Sequence, residues 1–171
     1  MKTLKLLLLI PILLCCKNTT KNSNMVSTGL TVSKPAAIVL EMEGNTHTIK
    51  QDELMPIQLN FESDSLLYSL YTKDHPVQIN FNLFNTQALQ KGTVDYTIPE
   101  ANAGQVKVDL SFFNNEREAK RINKRIVFRD GDIHIEEITA HSLKMSFEGK
   151  ASGMLDRENS FPVSGSINII Y

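Results

Sequence analysis

Alternation of apolar and polar residues at every second position restricts this chain more than any other feature. Val77, Ile79, Phe81 and Leu83 are separated by Gln78, Asn80 and Asn82, and Val106, Val108, Leu110 and Phe112 by Lys107, Asp109 and Ser111. Leu143, Met145 and Phe147 repeat the pattern, as do Ile57–Leu59–Phe61, Val94–Tyr96–Ile98 and Ile167–Ile169–Tyr171. A period of two puts each apolar set on one face of a strand. A register slip of one residue would turn that whole set into water, so the pairing is strongly specified. Val39–Met42 and Leu66–Tyr71 read as further strands. Between the strands stand Gly44-Asn45, Asp64-Ser65, Asp74-His75-Pro76, Lys91-Gly92, Ala103-Gly104, Asp130-Gly131-Asp132 and the stretch Gly149–Gly153. Asp130-Gly131 is the strongest hairpin signal, set to join Arg125–Phe128 to Ile133–Ile138. The expected fold is all-β, an antiparallel β-sandwich (or flattened barrel) of about 8–10 strands, with the sandwich preferred. One short helix is expected near 114–124, where Glu116 stands four residues ahead of Lys120.

Residues 1–15 read differently. Lys2 and Lys5 lead into an apolar run, Leu6 to Leu14, that stops at Cys15-Cys16. The run is shorter than the roughly 20 apolar residues that span a bilayer and has the layout of an export signal. Leu13-Leu14-Cys15-Cys16 resembles the signal of bacterial lipoproteins, in which a Leu stands three residues before the lipidated cysteine. The resemblance implies a signal peptide over 1–15 and lipidation at Cys16. Acyl chains contribute about 0.8 kcal/mol per buried methylene, so two or more hold a protein stably on a membrane. Residues 16–34, polar and rich in Asn, Ser, Thr and Lys, then form a flexible tether, and 35–171 a single β domain. In the Bacteroidota lipoproteins that the chain resembles, an acidic run after the cysteine goes with delivery to the cell surface. Lys17-Asn18-Thr19-Thr20 carries none, which implies the periplasm-facing leaflet.

Charge and cysteine usage narrow the function. The chain has 18 basic and 19 acidic residues. Without Lys2 and Lys5 this becomes 16 against 19, a net charge of −3, which argues against nucleic acid as a partner. Cys15 and Cys16 are the only cysteines, so the β domain is expected to stand on its core, without a disulfide or a thiol nucleophile. No Gly-x-Ser-x-Gly elbow, phosphate-binding glycine loop or paired metal-ligand histidine motif occurs. No cofactor is expected.

The candidate site residues are few. Arg117, Lys120, Arg121, Lys124, Arg125 and Arg129 fall within thirteen residues. If the end of this stretch is extended, Ile122, Ile126 and Phe128 point inward and the arginines line one outer face. Guanidinium groups give such a face planar paired donors for an anionic ligand; the plainer reading is a strand edge protected by charge. Asp132, His134 and Glu136 occupy alternate positions and so share a face, with His141 following. Carboxylates and imidazole together could hold a divalent metal, but a half-exposed strand looks the same and no metal is expected. His47 and His75 stand near turns and read as solvated. Tyr68, Tyr71 and Tyr96 with the eight phenylalanines read as core.

The last forty residues carry a second resemblance. Asp132–Ile138, Leu143–Phe147, Gly149-x-x-x-Gly153 and Phe161–Ile169 together resemble the C-terminal strand meander of small uncharacterised lipoproteins of Bacteroidota, which implies an envelope location and a β-sandwich but no activity. The functional expectation is a membrane-anchored, non-enzymatic envelope module that binds an envelope protein or a polysaccharide. The alternative is a small-ligand or lipid carrier, or a hydrolase whose site is assembled from distant residues. A carrier needs a cavity of hundreds of cubic ångströms.

Overall fold

The computed structural model describes residues 36–62, 65–101, 106–117 and 124–171, all within the compact unit Ser33–Tyr171. The expected signal, Cys16 and the tether lie outside the described residues. Among the described residues ten strands form: β1 (Ala36–Met42), β2 (Asn45–Lys50), β3 (Gln58–Glu62), β4 (Ser65–Leu70) and β5 (Val77–Leu83), then β6 (Val94–Ile98), β7 (Val108–Asn114), β8 (Arg125–Ile138), β9 (Ser142–Gly153) and β10 (Phe161–Ile170). All belong to one antiparallel sheet in the order β2-β1-β10-β9-β8-β7-β5-β4-β3, with β6 pairing β8 beside that path. The all-β antiparallel fold of about ten strands is as the alternation implies, a single sheet curled into a half-barrel.

The connectivity itself demands the curl. β2 and β3 end the sheet on opposite sides, yet only residues 51–57 separate them. Nine flat strands at about 4.8 Å spacing would part those ends by about 38 Å, whereas so short a link reaches less than about 30 Å. The sheet therefore bends its ends toward each other, and one contiguous core fills the concave side. Val77, Ile79, Phe81 and Leu83 are all at most 1% exposed, as are Leu143 and Phe112. Tyr68 of β4 crosses this interior to the chain's last residue, with 3.1 Å between its hydroxyl and that of Tyr171. Tyr171 in turn donates to the Thr139 carbonyl at 2.8 Å. Burial raises the pKa of both phenols, so they stay neutral hydrogen-bonding groups.

Two glycine signals have a different meaning from the one expected. Asp130-Gly131 is not a hairpin: β8 runs through it for 14 residues. Nor is Gly149–Gly153 a turn, since it is the end of β9, and the chain reverses after Gly153 instead. Gly131 and Gly149 face each other across the β8–β9 ladder. A Cβ on Gly149 would lie 2.0 Å from the Asp130 carbonyl oxygen, and one on Gly131 2.2 Å from that of Glu148. The two strands cross too closely here for any side chain, and the ladder bends at a bulge between Phe128 and Asp130. The helix expected near 114–124 falls largely outside the described residues: Asn114 closes β7, Asn115 and Glu116 turn, and 118–123 are not described.

Candidate binding site

β8 is long enough to serve two strands along one edge. Its first residues pair β7, with Ser111 against Val127 and Phe113 against Arg125. Its later ones pair β6, with Ile98 against Gly131 and Val94 against Ile135. Phe128, Arg129 and Asp130 between them have no strand partner on that side among the described residues. Both ladders stop for local reasons. The residue after Ile98 is Pro99, which has no N–H to give to a ladder. Continuing the β7 register would set Asp109 against Arg129, but the β8 bulge falls there and β7 stays with β5 through Leu83–Val108 and Phe81–Leu110. The sheet therefore forks, and the fork is a slot.

The slot has a volume of about 320 Å³, within the range of small-molecule sites. Its walls are apolar: Ile98 and Pro99 close one side, Val108 and Leu110 the second, Val127 and Phe128 the floor. Val106, 63% exposed, stands at the lip. Three ionisable residues, Glu100, Asp109 and Arg129, complete the lining. Glu100 Oε1 accepts the backbone N–H groups of Lys107 and Val108, both at 2.9 Å, and so ties the β6–β7 connection to the start of β7. Asp109 Oδ2 lies 3.8 Å from Arg125 Nη2 and accepts from Asn82 Nδ2 at 3.3 Å. Arg129 is held differently. It donates through Nε to Ser152 Oγ at 3.2 Å and through Nη2 to the carbonyls of Gly153 and Met154. These acceptors are neutral, and no carboxylate lies within ion-pair distance of Arg129 among the described residues. Partial burial and the nearby charge of Arg157 lower its pKa, against the pull of Asp109, but a guanidinium stays protonated throughout the physiological range.

The basic stretch is divided among separate tasks. Arg125–Arg129 is extended, with Ile126 and Phe128 buried and Arg125 on the outer side. Arg117 lies 3.5 Å from Glu43 and stands over the Phe161 ring at 5.7 Å, with its Nη1 buried and without a hydrogen-bond partner among the described residues. Lys124 donates to the Asn115 carbonyl at 2.9 Å. Lys120 and Arg121 lie outside the described residues. Only Arg129 of the four described residues lines the slot.

The other candidates sit elsewhere. Asp132 accepts from the Thr97 hydroxyl, His134 bonds Asp95, and Glu136 pairs Lys144; among the described residues no three His, Cys, Asp or Glu side chains gather as metal ligands. His47 is not solvated. It is 9% exposed, its Nε2 is buried without a hydrogen-bond partner among the described residues, and its ring meets His75 edge-on at 5.5 Å between centroids. Residue types alone did not single out Ile98 or Val108, because each satisfies the ordinary alternation, whereas Val127 is an apolar residue on the outward phase between Ile126 and Phe128. The legible signal was Pro99 directly after an apolar strand position, which ends a ladder while the strand opposite continues. Among the described residues no helix is long and apolar enough to cross a membrane. No family model, no curated protein and no solved structure matches this chain.

Proposed function

We propose that this chain is a membrane-anchored envelope lipoprotein whose β domain is a non-enzymatic binding module, held on the periplasm-facing leaflet through Cys16 and a polar tether. Its partner is an envelope component, a protein, a polysaccharide or a small ligand drawn from that compartment, and not nucleic acid. The observation that carries the binding part is an open apolar slot beside one contiguous cluster of buried residues. Such a slot takes its occupant from outside. The ionisable groups of the slot favour binding over chemistry, because Glu100 and Asp109 are each tied to their own structural partners and do not converge on one point. The anchor is supported by Leu13-Leu14-Cys15-Cys16 and the basic, then apolar, residues before it.

Fractionation and intact-mass measurement test the anchor. The full chain, made in a bacterial host that processes lipoproteins, is expected in the membrane fraction with the mass of a chain beginning at Cys16 plus three acyl groups. Cys16→Ala is expected to leave that fraction. An unlipidated mass, or a Cys16→Ala protein that stays with the membrane, would overturn the anchor.

A further inference from the structure

We propose that the outer face of β3, β4, β5 and β7 binds an extended, uncharged glycan chain. The inference rests on the reading of the domain as a binding module, narrows its envelope partner to one class, and is independent of the lipid anchor. The strand register lines up Gln58, Ser69, Asn80, Ser111 and Val127 in one row across five strands. At about 4.8 Å between strands the row is about 19 Å long, which exceeds one sugar ring and suits a chain. Leu67 and Asn82 stand in the next row on one side, and Gln78 and Phe113 on the other. Gln58 donates to the Tyr71 hydroxyl at 3.2 Å, which puts Tyr71 on the same face. Ser111 Oγ, at the floor of the row, is buried without a hydrogen-bond partner among the described residues, so the middle of the face lacks a polar partner.

The chemistry of the face selects the occupant. Asp109 is the one charged residue at the outward positions of β4, β5 and β7, and Glu62 ends β3 at the sheet edge. Asp109 lies 3.8 Å from Arg125 and accepts from Asn82 at 3.3 Å, so an ionic ligand finds no free opposite charge on these three strands. The same side of β9, by contrast, exposes Lys144, Glu148 and Lys150. A wholly apolar ligand would take the amides of Gln78, Asn80 and Asn82 out of water without replacing their hydrogen bonds. A protein partner, a second copy included, centres its contact on apolar side chains and arginine, where this face has Ser69, Asn80 and Ser111. A neutral molecule with donors and acceptors along its length is what fits. Side-chain amides offer both. Asn80 takes the Ser69 hydroxyl on its oxygen at 3.0 Å, which keeps its amide hydrogens for a ligand, and Gln78 makes no side-chain hydrogen bond among the described residues. The half-buried rings of Tyr71 and Phe113 add aromatic surface for the apolar face of a sugar.

The test uses the full chain in lipid nanodiscs, with empty discs as the blank, and the neutral probes maltohexaose, cellohexaose and N-acetylchitohexaose, followed by saturation-transfer NMR. At least one is expected to bind, with an affinity that added salt leaves unchanged because no ion pair forms. Gln78→Ala and Asn80→Asp should each weaken that binding by about threefold or more, and Lys150→Ala, on the charged part of the sheet, should not. Asn80→Asp keeps the oxygen that accepts from Ser69 and removes only the amide hydrogens, so the fold is retained, which the thermal midpoint checks. Binding of none of the probes would overturn the face as a glycan site and leave the binding-module reading, which the slot carries, standing. Binding that ignores the Gln78 and Asn80 variants but falls with Val106→Glu would put the sugar in the slot, overturning the face and supporting that reading. Binding that falls steeply with salt would overturn the choice of a neutral ligand. Binding that weakens as the protein concentration rises would mean that a second copy covers the face, and would overturn the glycan as its occupant.

Discussion

The side chain of Phe81 is fully buried, and it sits where strict alternation along β5 puts it. Phe81→Ala is expected to cost roughly 3–5 kcal/mol, the lost transfer energy plus a cavity that the sheet cannot close. Denaturant unfolding reads this directly, and near-wild-type stability would mean that the β5 register is wrong. Alternation was legible at this scale because an inward position and an apolar residue coincide wherever a strand has neighbours on both sides. It misleads at boundaries. Phe61 has the right phase but is 48% exposed, since β3 ends the sheet, and Val106 has the right phase but precedes its strand. Arg129 was legible as one of six basic residues, but not as the one that lines a slot. That depends on a bulge, and no residue type marks a bulge.

Elements expose a different limit of the sequence. A glycine between apolar runs signals a place where a side chain will not fit, and both a turn and a close strand crossing meet that description. Asp130-Gly131 and Gly149 are crossings, so two expected turns are parts of β8 and β9. Substitution separates the cases. Gly149→Ala would press a methyl group against the Asp130 carbonyl oxygen and the Phe128 ring, and overpacking of this kind costs about 1–3 kcal/mol. Gly44, in the turn between β1 and β2, has φ near +77° and nothing within 4 Å of an added Cβ. Gly44→Ala should therefore carry only the left-handed backbone penalty, about 1–2 kcal/mol. Thermal unfolding checks the pair, and Gly149→Ala should also lower the protection of β8 and β9 amides from hydrogen exchange. A Gly149→Ala protein with an undisturbed ladder would contradict the close crossing.

On the scale of the whole molecule, the curl is closed by contacts between distant parts of the chain, and one of them is a pair of imidazoles. His47 of β2 meets His75 of the β4–β5 connection, with Glu116 and Glu43 close enough to act on it electrostatically. Burial, and next the proximity of His75, lower the pKa of His47 more than those carboxylates raise it. The unfolded chain therefore binds a proton at His47 more readily than the folded one. Its contribution to stability is intact above the ordinary histidine value of about 6.5 and is lost as pH falls below it. The thermal midpoint should drop between pH 7 and pH 5, and His47→Phe should flatten that part of the profile; an unchanged slope would remove His47 as its source. The connectivity has a further consequence, in the order of events during folding. β8, β9 and β10 follow one another and can form as a local meander, but β1 pairs only β2 and the final strand, with Ile38 opposite Ile167. A chain delivered amino end first keeps β1 without its second strand partner until β10 arrives. Such distant pairing makes assembly slow, and a chain cut short before β10 would leave one edge of β1 without its ladder.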